Sequence, residues 1–481
     1  MTALTDIAPP ANARAAIDAS ARMPVLIFFV SAVFWLLIGS LLGLICAWKM
    51  VFPTLLGSQA WMTFGRLRPA HLNVLAYGWA SLAGIGIGIW LMARLCRMCL
   101  PQPGLLSIAA VFWNLGLIAG ILGIMAGESR SIAWLELPSY ASTLIFVAFV
   151  LIGIWTILMF RSRRPGAAYV SEWYIFAAFL WFPWIYATAN ILLIWQPAPG
   201  PAQPAINWWF AQNLISLWFV PMGLASAYYM IPKVLGRPLY SNSLAMLGFW
   251  SLAIVSVWSG AQHLIGGPIP TWMVSLSAAA GIMTCIPIIA VAANFHMTMS
   301  GHFDTLRWSP TLRFTVFGAI AYSLTGLQGI LMAIPSVNAL THFTDFTTGH
   351  AHLGLYGFFS MVMFGGMYFI VPRLIGGEWP SASMIRWHFG LAVSGIALMF
   401  GALTLGGLLQ GLALYDPDAS FKTSVEFATP FRWISGASGF LILAANITFA
   451  TLFLRMLFWP LRGQASATLL APPEETEETA P

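Results

Sequence analysis

Long apolar runs of about 20 residues recur along the whole chain, separated by short polar segments rich in Arg, Pro and Gly. The pattern predicts twelve membrane-crossing helices, at roughly 25–48, 70–95, 104–126, 140–160, 172–196, 207–232, 244–264, 271–294, 311–335, 349–372, 387–410 and 433–458. The expected fold class is therefore an all-α integral membrane protein. Residues 1–22 read as an N-terminal tail, 23–462 as one twelve-helix membrane domain, and 463–481 as a disordered tail ending APPEETEETAP. The first 22 residues lack a long apolar core, so no separate cleavable signal peptide is expected.

Composition sharpens this. The chain is 59% hydrophobic and only 7% charged, against about 25% charged residues in ordinary soluble domains. The charges that remain are unevenly placed. Of 21 Lys and Arg, six (Lys49, Arg66, Arg68, Arg130, Lys422, Arg432) fall in loops following odd-numbered spans, and 15 fall in the tails and the other loops. The positive-inside rule then places both termini in the cytoplasm. The net charge of +6 is mostly this topological signal and says nothing about nucleic acid. The 23 Trp fit interfacial belts. Cys96-x-x-Cys99 supplies half a zinc site at best, so two reduced thiols are expected. No phosphate-binding loop, dinucleotide fingerprint, haem c attachment motif or internal repeat is visible.

Candidate chemistry lies in the eight histidines. His296 and His302 read as loop residues, His388 as interfacial at the start of span 11, and His342 as lying just outside span 10. The other four fall at one depth, in the outer third of the membrane: His71, His263, His350 and His352. Polar groups there are costly and usually functional. His350 and His352, two apart on one helix, point roughly 200° from each other, so they cannot clamp one metal. Imidazole is the usual axial ligand of haem b, and two imidazoles make a low-spin site. One histidine of the pair would then face a low-spin haem and the other a neighbouring, open-sided haem. Arg66 and Arg68, just before His71, supply charge suited to propionates.

FGRLRPAH (64–71), YYMIPKVLGRPLYS (228–241) and MAIPSVNALTHFTDFTTGHAHLG (332–354) resemble motifs of subunit I of the haem–copper oxidases, most closely the cbb3-type cytochrome c oxidase branch. The similarity runs from about residue 60 to 375, and the twelve spans fit the whole. This resemblance implies His71 and His352 as low-spin haem b ligands, His350 as the proximal ligand of a second, high-spin haem, and Arg68 as a propionate contact. It implies a bacterial inner-membrane location and a membrane-anchored c-type cytochrome subunit as electron donor. Glu136 matches an acidic position associated with calcium, although Trp134 stands where a second acid often occurs.

The resemblance breaks where that family binds copper. Three histidines would be needed, and here the positions read Gln212, Gln262 and His263. A neutral amide oxygen suits copper poorly, so copper is expected to be absent. Ser256 replaces the branch's tyrosine, Ala245 and Gly248 replace polar groups on its proton path, and Gln328 replaces a glutamate near the proximal histidine. The expected function is a copper-free, dihaem electron-transfer or diatomic-gas-binding relative. An active oxygen or nitric oxide reductase with a rebuilt metal site is the alternative. A structural or assembly subunit and a transporter fit fewer of the motifs.

Overall fold

A computed structural model describes residues 11–461 of the chain. Twelve helices are long and apolar enough to cross a membrane. They are α1 (Ala11–Lys49), α2 (Phe64–Leu95), α3 (Pro103–Ala126), α4 (Ser139–Arg161), α5 (Val170–Trp195), α6 (Ala202–Leu235), α7 (Asn242–Leu264), α8 (Thr271–Met299), α9 (Pro310–Ala333), α10 (Asp345–Ile375), α11 (Ala382–Tyr415) and α12 (Phe421–Phe458). No strand forms among the described residues. Consecutive helices pack as antiparallel hairpins, with α11 against α12 the most extensive contact, and α1 closes the bundle by packing on α2 and α12.

The helices divide into two classes by what they face. In α2, α6 and α10, 94%, 83% and 89% of the apolar window is buried, whereas the other nine bury 39–50%. The nine present one face to lipid; the three form the interior. This follows from their small residues. Gly84, Gly88, Gly223, Gly365 and Gly366 each leave no free room for a side-chain carbon beside a neighbouring helix, so backbones approach closely.

All three inner helices carry a wide π-helical stretch: Val74–Ala80 in α2, Leu214–Phe219 in α6 and Leu353–Ser360 in α10. Such turns concentrate at functional sites. Hydrogen bonds tie the three together at these stretches. Trp79 Nε1 donates to Ser360 Oγ at 2.7 Å, and Trp218 Nε1 donates to Ser81 Oγ at 3.0 Å. Both hydroxyls in turn donate back to carbonyls freed by the widened turns, Ser81 to Ala76 at 2.7 Å and Ser360 to Leu355 at 2.8 Å.

Several boundaries differ from the hydropathy reading. α1 begins at Ala11, not near 25, because ANARAAIDASAR is rich in strong helix formers and Ile17 and Ala21 are buried. α12 likewise begins at Phe421, twelve residues before the apolar window, and continues the hairpin with α11 beyond the span. A short helix, Pro335–Thr341, joins α9 to α10. α7 is not continuous: its α-helical part ends at Ser256, and Ala261–Leu264 forms a single tight turn. The expected disordered C-terminal tail, 463–481, lies outside the described residues.

Candidate functional site

His71 sits in the first turns of α2, against α1. Its Nδ1 lies 2.8 Å from the Gly39 carbonyl of α1. A carbonyl only accepts, so Nδ1 carries the proton and Nε2 keeps its lone pair. Gly43, one turn after Gly39, makes the berth. A side-chain carbon there would stand 2.8 Å from His71 Nδ1 and 3.2 Å from Nε2. Gly39 and Gly43 escaped the sequence reading; their spacing of four, opposite an intramembrane histidine, was the available signal.

His352 repeats the arrangement. Its Nδ1 lies 2.8 Å from the Thr348 carbonyl, one turn earlier in α10, again leaving the Nε2 lone pair available. His71 and His352 lie within electrostatic reach of each other. His350 faces elsewhere. Its Nδ1 lies 3.3 Å from Gln328 Oε1 of α9, and Gln328 Nε2 donates to Thr404 Oγ1 of α11 at 3.4 Å. Gly329 brings α9 close to the His350 ring. His263 and His342 group with His350, not with His71, since both His350 and His342 lie within electrostatic reach of His263. These five histidines thus fall into two sets, His71 with His352 and His263 with His342 and His350, divided as the opposite sides of α10 require.

His71, His350 and His352 all lie inside the bundle yet retain accessible surface, as side chains lining an internal hollow do. These residues fit haem. The donor set is imidazole, the outer nitrogens are held by carbonyl or amide oxygens, and that second hydrogen bond fixes ring orientation and raises ligand basicity. A glycine cradle admits one ring where any larger residue would displace it.

The third group of residues is less convergent. His263 stacks on Trp208, with ring centroids 4.5 Å apart and planes 25° apart, and its Nε2 lies 3.4 Å from Gln212 Oε1. Gln212 Nε2 donates to Ser216 Oγ at 3.1 Å. Gln262 is turned away into its own loop: its Oε1 accepts from Gly260 N at 2.6 Å and from Ser277 Oγ, and its backbone N donates to the same Ser277 oxygen at 3.1 Å. This loop needs glycine at 260, where φ is +125° and a side-chain carbon would meet the Trp208 carbonyl oxygen at 2.6 Å. Of the three positions, the structure therefore brings Gln212 and His263 together and leaves Gln262 outside. Among the described residues, no three His, Cys, Asp or Glu side chains converge to hold a metal ion. Ser256 is buried and its hydroxyl has no hydrogen-bond partner. Beside Ala245 and Gly248 the space is taken by Tyr174, whose hydroxyl donates to the Ala245 carbonyl at 3.4 Å.

Residues 127–138 fold over the N-terminal ends of α2 and α6. Asn73 Nδ2 donates to Glu136 Oε2 at 2.8 Å, Tyr77 Oη to the Trp134 carbonyl at 2.6 Å, and Asn207 Nδ2 to the Ala133 carbonyl at 2.8 Å. Burial raises the Glu136 carboxyl above the usual range, opposed by the Asn73 hydrogen bond and the charge of Arg68. Arg68 is exposed, within electrostatic reach of both His71 and Glu136. Arg66, by contrast, is committed to the Met125 carbonyl at 2.9 Å. His342 is half-buried against Phe343, and burial lowers its pKa. His388 is not interfacial. It is fully buried, 2.8 Å from Tyr368 Oη through Nδ1 and enclosed by Phe314, Phe364 and Phe449. The extra helical turns at the start of α11 carry it inward, to a face the linear pattern did not distinguish.

Residues 23–441 match the family described as cytochrome c and quinol oxidase polypeptide I. A cbb3-type cytochrome c oxidase subunit of Stutzerimonas stutzeri is 32% identical over 442 residues, which cover 87% of this chain and 92% of that one. A cytochrome c oxidase subunit 1 homolog from Bradyrhizobium diazoefficiens is 31% identical over 437 residues, covering 87% and 79%. Among solved structures, a haem–copper terminal oxidase dimer superposes with a TM-score of 0.72 over 93% of this chain and 86% of that chain, at 16% identity.

Proposed function

The chain belongs to the cytochrome c and quinol oxidase polypeptide I family, the subunit I of haem–copper oxidases, and from that premise we propose that it is a copper-free, dihaem member that carries electrons or binds a diatomic gas. The observation that carries this reading is the state of Gln262. Its amide oxygen is already satisfied twice, by Gly260 N–H and Ser277 Oγ, so it has no reason to leave that loop for a soft metal. That leaves one imidazole and one amide, His263 and Gln212, where the family binds copper with three imidazoles.

In this reading His71 and His352 hold a low-spin haem b, and His350 holds a second, high-spin haem. Bound haems would supply reversible one-electron chemistry, and a haem held by His350 alone would have room for a small gas. This chain's residues orient and insulate. Gly39 and Thr348 carbonyls fix the low-spin pair. Gln328, a neutral amide, leaves the His350 ring less basic than a carboxylate would. Arg68 would pair with haem propionates. Tyr174 fills the space beside Ala245 and Gly248 on that face of α7. Glu136 is one candidate calcium ligand. The protein works in a bacterial inner membrane with both termini cytoplasmic, and a membrane-anchored c-type cytochrome subunit passes it electrons.

Optical spectra of the purified protein, oxidised, reduced, and reduced under carbon monoxide, test this together with metal analysis and oxygen and nitric oxide consumption. Two haems, one binding carbon monoxide, with no copper and no turnover, are expected. Stoichiometric copper or sustained gas consumption would overturn it in favour of a reductase with a rebuilt site around Gln212 and His263.

A further inference from the structure

Helix α1 carries no histidine, yet its Gly39 carbonyl holds the His71 ring through Nδ1 at 2.8 Å. A backbone carbonyl is aimed by the helix that carries it. The plane of His71 is therefore only as fixed as the rotation of α1 about its own axis. Gly39 and Gly43 let α1 approach closely, but they have no side chain with which to resist that rotation. The next residue supplies the anchor. Ser40 Oγ accepts from Asn446 Nδ2 of α12 at 2.8 Å and donates to the Leu36 carbonyl at 2.6 Å. The Oδ1 of the same Asn446 side chain accepts from Tyr356 Oη of α10 at 2.9 Å. Tyr356 lies four residues after His352, about one helical turn, inside the wide stretch that begins at Leu353.

One buried amide thus joins the helix of His352 to the helix whose carbonyl holds His71. The direction of the chain is forced. The Leu36 carbonyl only accepts, so Ser40 spends its proton there and must receive from the amide nitrogen, which leaves the amide oxygen for the tyrosine. Asn446 is buried, and an unpaired polar group in an apolar bundle is costly, so the members hold or break together. A leucine at 446 would fill similar space but transmit no direction. We propose that Asn446 is a positioning residue for the low-spin site: by locking α1 to α10 through Ser40 and Tyr356, it sets the angle between the His71 and His352 ring planes. This rests on the low-spin haem reading given above.

Low-temperature electron paramagnetic resonance of the purified, oxidised full-length holoprotein tests this, because the g values of a ferric bis-imidazole centre depend on the angle between the two ring planes. Asn446→Leu, Tyr356→Phe and Ser40→Ala are each expected to shift the largest low-spin g value in the same direction, with haem-to-protein ratio and the carbon monoxide difference spectrum as in wild type. Tyr356→Phe/Ser40→Ala is expected to shift it no further than either single variant, since either alone breaks the chain. Asn294→Leu is the control. Asn294 of α8 is also buried, and its amide bonds the backbone of Ser241, at the start of α7, at 3.0 and 2.8 Å. That variant is expected to leave the g values unchanged. Circular dichroism melting checks folding, and Tyr356→Phe and Ser40→Ala, which each remove one hydroxyl, carry the test if Asn446→Leu does not fold. Wild-type g values in both overturn the proposal. An equal shift in Asn294→Leu also overturns it, as a sign of general loosening, and so do additive shifts in the double variant. A wild-type protein with no bis-imidazole signal would instead overturn the haem assignment of His71 and His352, and this proposal with it.

Discussion

Gly43→Ala is the smallest change that reaches the proposed low-spin site without touching a ligand. The added methyl would stand 2.8 Å from His71 Nδ1 and 3.2 Å from Nε2, where a relaxed carbon contact is about 3.5–4.0 Å. The ring is rigid, and its one tether is the 2.8 Å hydrogen bond from Nδ1 to the Gly39 carbonyl. It can yield only by leaving that bond or by moving toward the haem position. Overpacking of this kind costs about 1–3 kcal/mol, and the lost hydrogen bond adds about 0.5–1.5 kcal/mol. Disturbing a ligand's supporting hydrogen bond typically costs about 10–100-fold in affinity for the bound group. Gly39→Ala is the control. It adds the same methyl one turn earlier on the same helix, but there the nearest obstacle is the flexible Leu75 side chain, with Cδ2 at 2.5 Å and Cγ at 2.8 Å, and the accepting carbonyl remains. Reduced-minus-oxidised spectra and haem-to-protein ratios are the assay. Gly43→Ala is expected to lose most of the low-spin signal and keep the carbon-monoxide-binding haem, while Gly39→Ala keeps both. A wild-type low-spin spectrum in Gly43→Ala would refute the placement of His71 as a ligand supported from α1.

Gln328→Glu places a carboxylate 3.3 Å from His350 Nδ1; the more basic imidazole is expected to lower the reduction potential of the high-spin haem and leave the low-spin haem unchanged, as read by redox titration. Glu136→Gln is expected to alter the pH dependence of stability. The native carboxyl holds its proton above the ordinary value because of burial, so wild type loses stability as pH rises from the unfolded value of about 4.5 through the raised native one. The glutamine variant lacks that loss, and thermal melts from pH 4 to 8 in a chelator are expected to diverge upward from the wild type; identical profiles contradict the burial argument, and flattening of the wild-type profile by added calcium would support a cation at Glu136. Cys96 is buried, with its thiol pushed up to about 12 by burial, and Cys99 is exposed. Maleimide labelling at neutral pH is expected to modify Cys99 and spare Cys96 until the protein is unfolded, as read by peptide mass spectrometry.

The parts legible in the sequence were those written as composition and linear spacing. Twelve apolar runs gave twelve helices, and the opposed directions of His350 and His352 followed from helix geometry alone. What stayed hidden depends on partners distant in sequence. Gly39 and Gly43 matter only because α1 lies against His71. Gln262 reads as a ligand position, yet the loop from Ser256 to Leu264 turns its amide onto Gly260 and Ser277, fifteen residues away in the chain. Arg66 and Arg68 look equivalent in sequence, but only Arg66 is tied to the end of α3. His388 shows how a polar residue near a predicted boundary misleads: hydropathy marks where a helix leaves the apolar layer, not which way its first turns face.

The widened turns in α2, α6 and α10 set an angular phase. Each extra backbone residue in a helix rotates everything on one side of it by about 100° relative to the other. The histidines of α10 lie before Leu353–Ser360, while Ser360, which receives Trp79, lies at its end. The two are therefore keyed at an angle that a uniform helix of the same length would not give. Deleting one residue between Leu353 and Ser360 would leave a helix just as apolar and just as able to insert. With Ser360 still locked to Trp79, it would swing His350 and His352 off the sides that Gln328 and His71 occupy. Residue count within these stretches, and not residue identity alone, is thus part of what specifies the site.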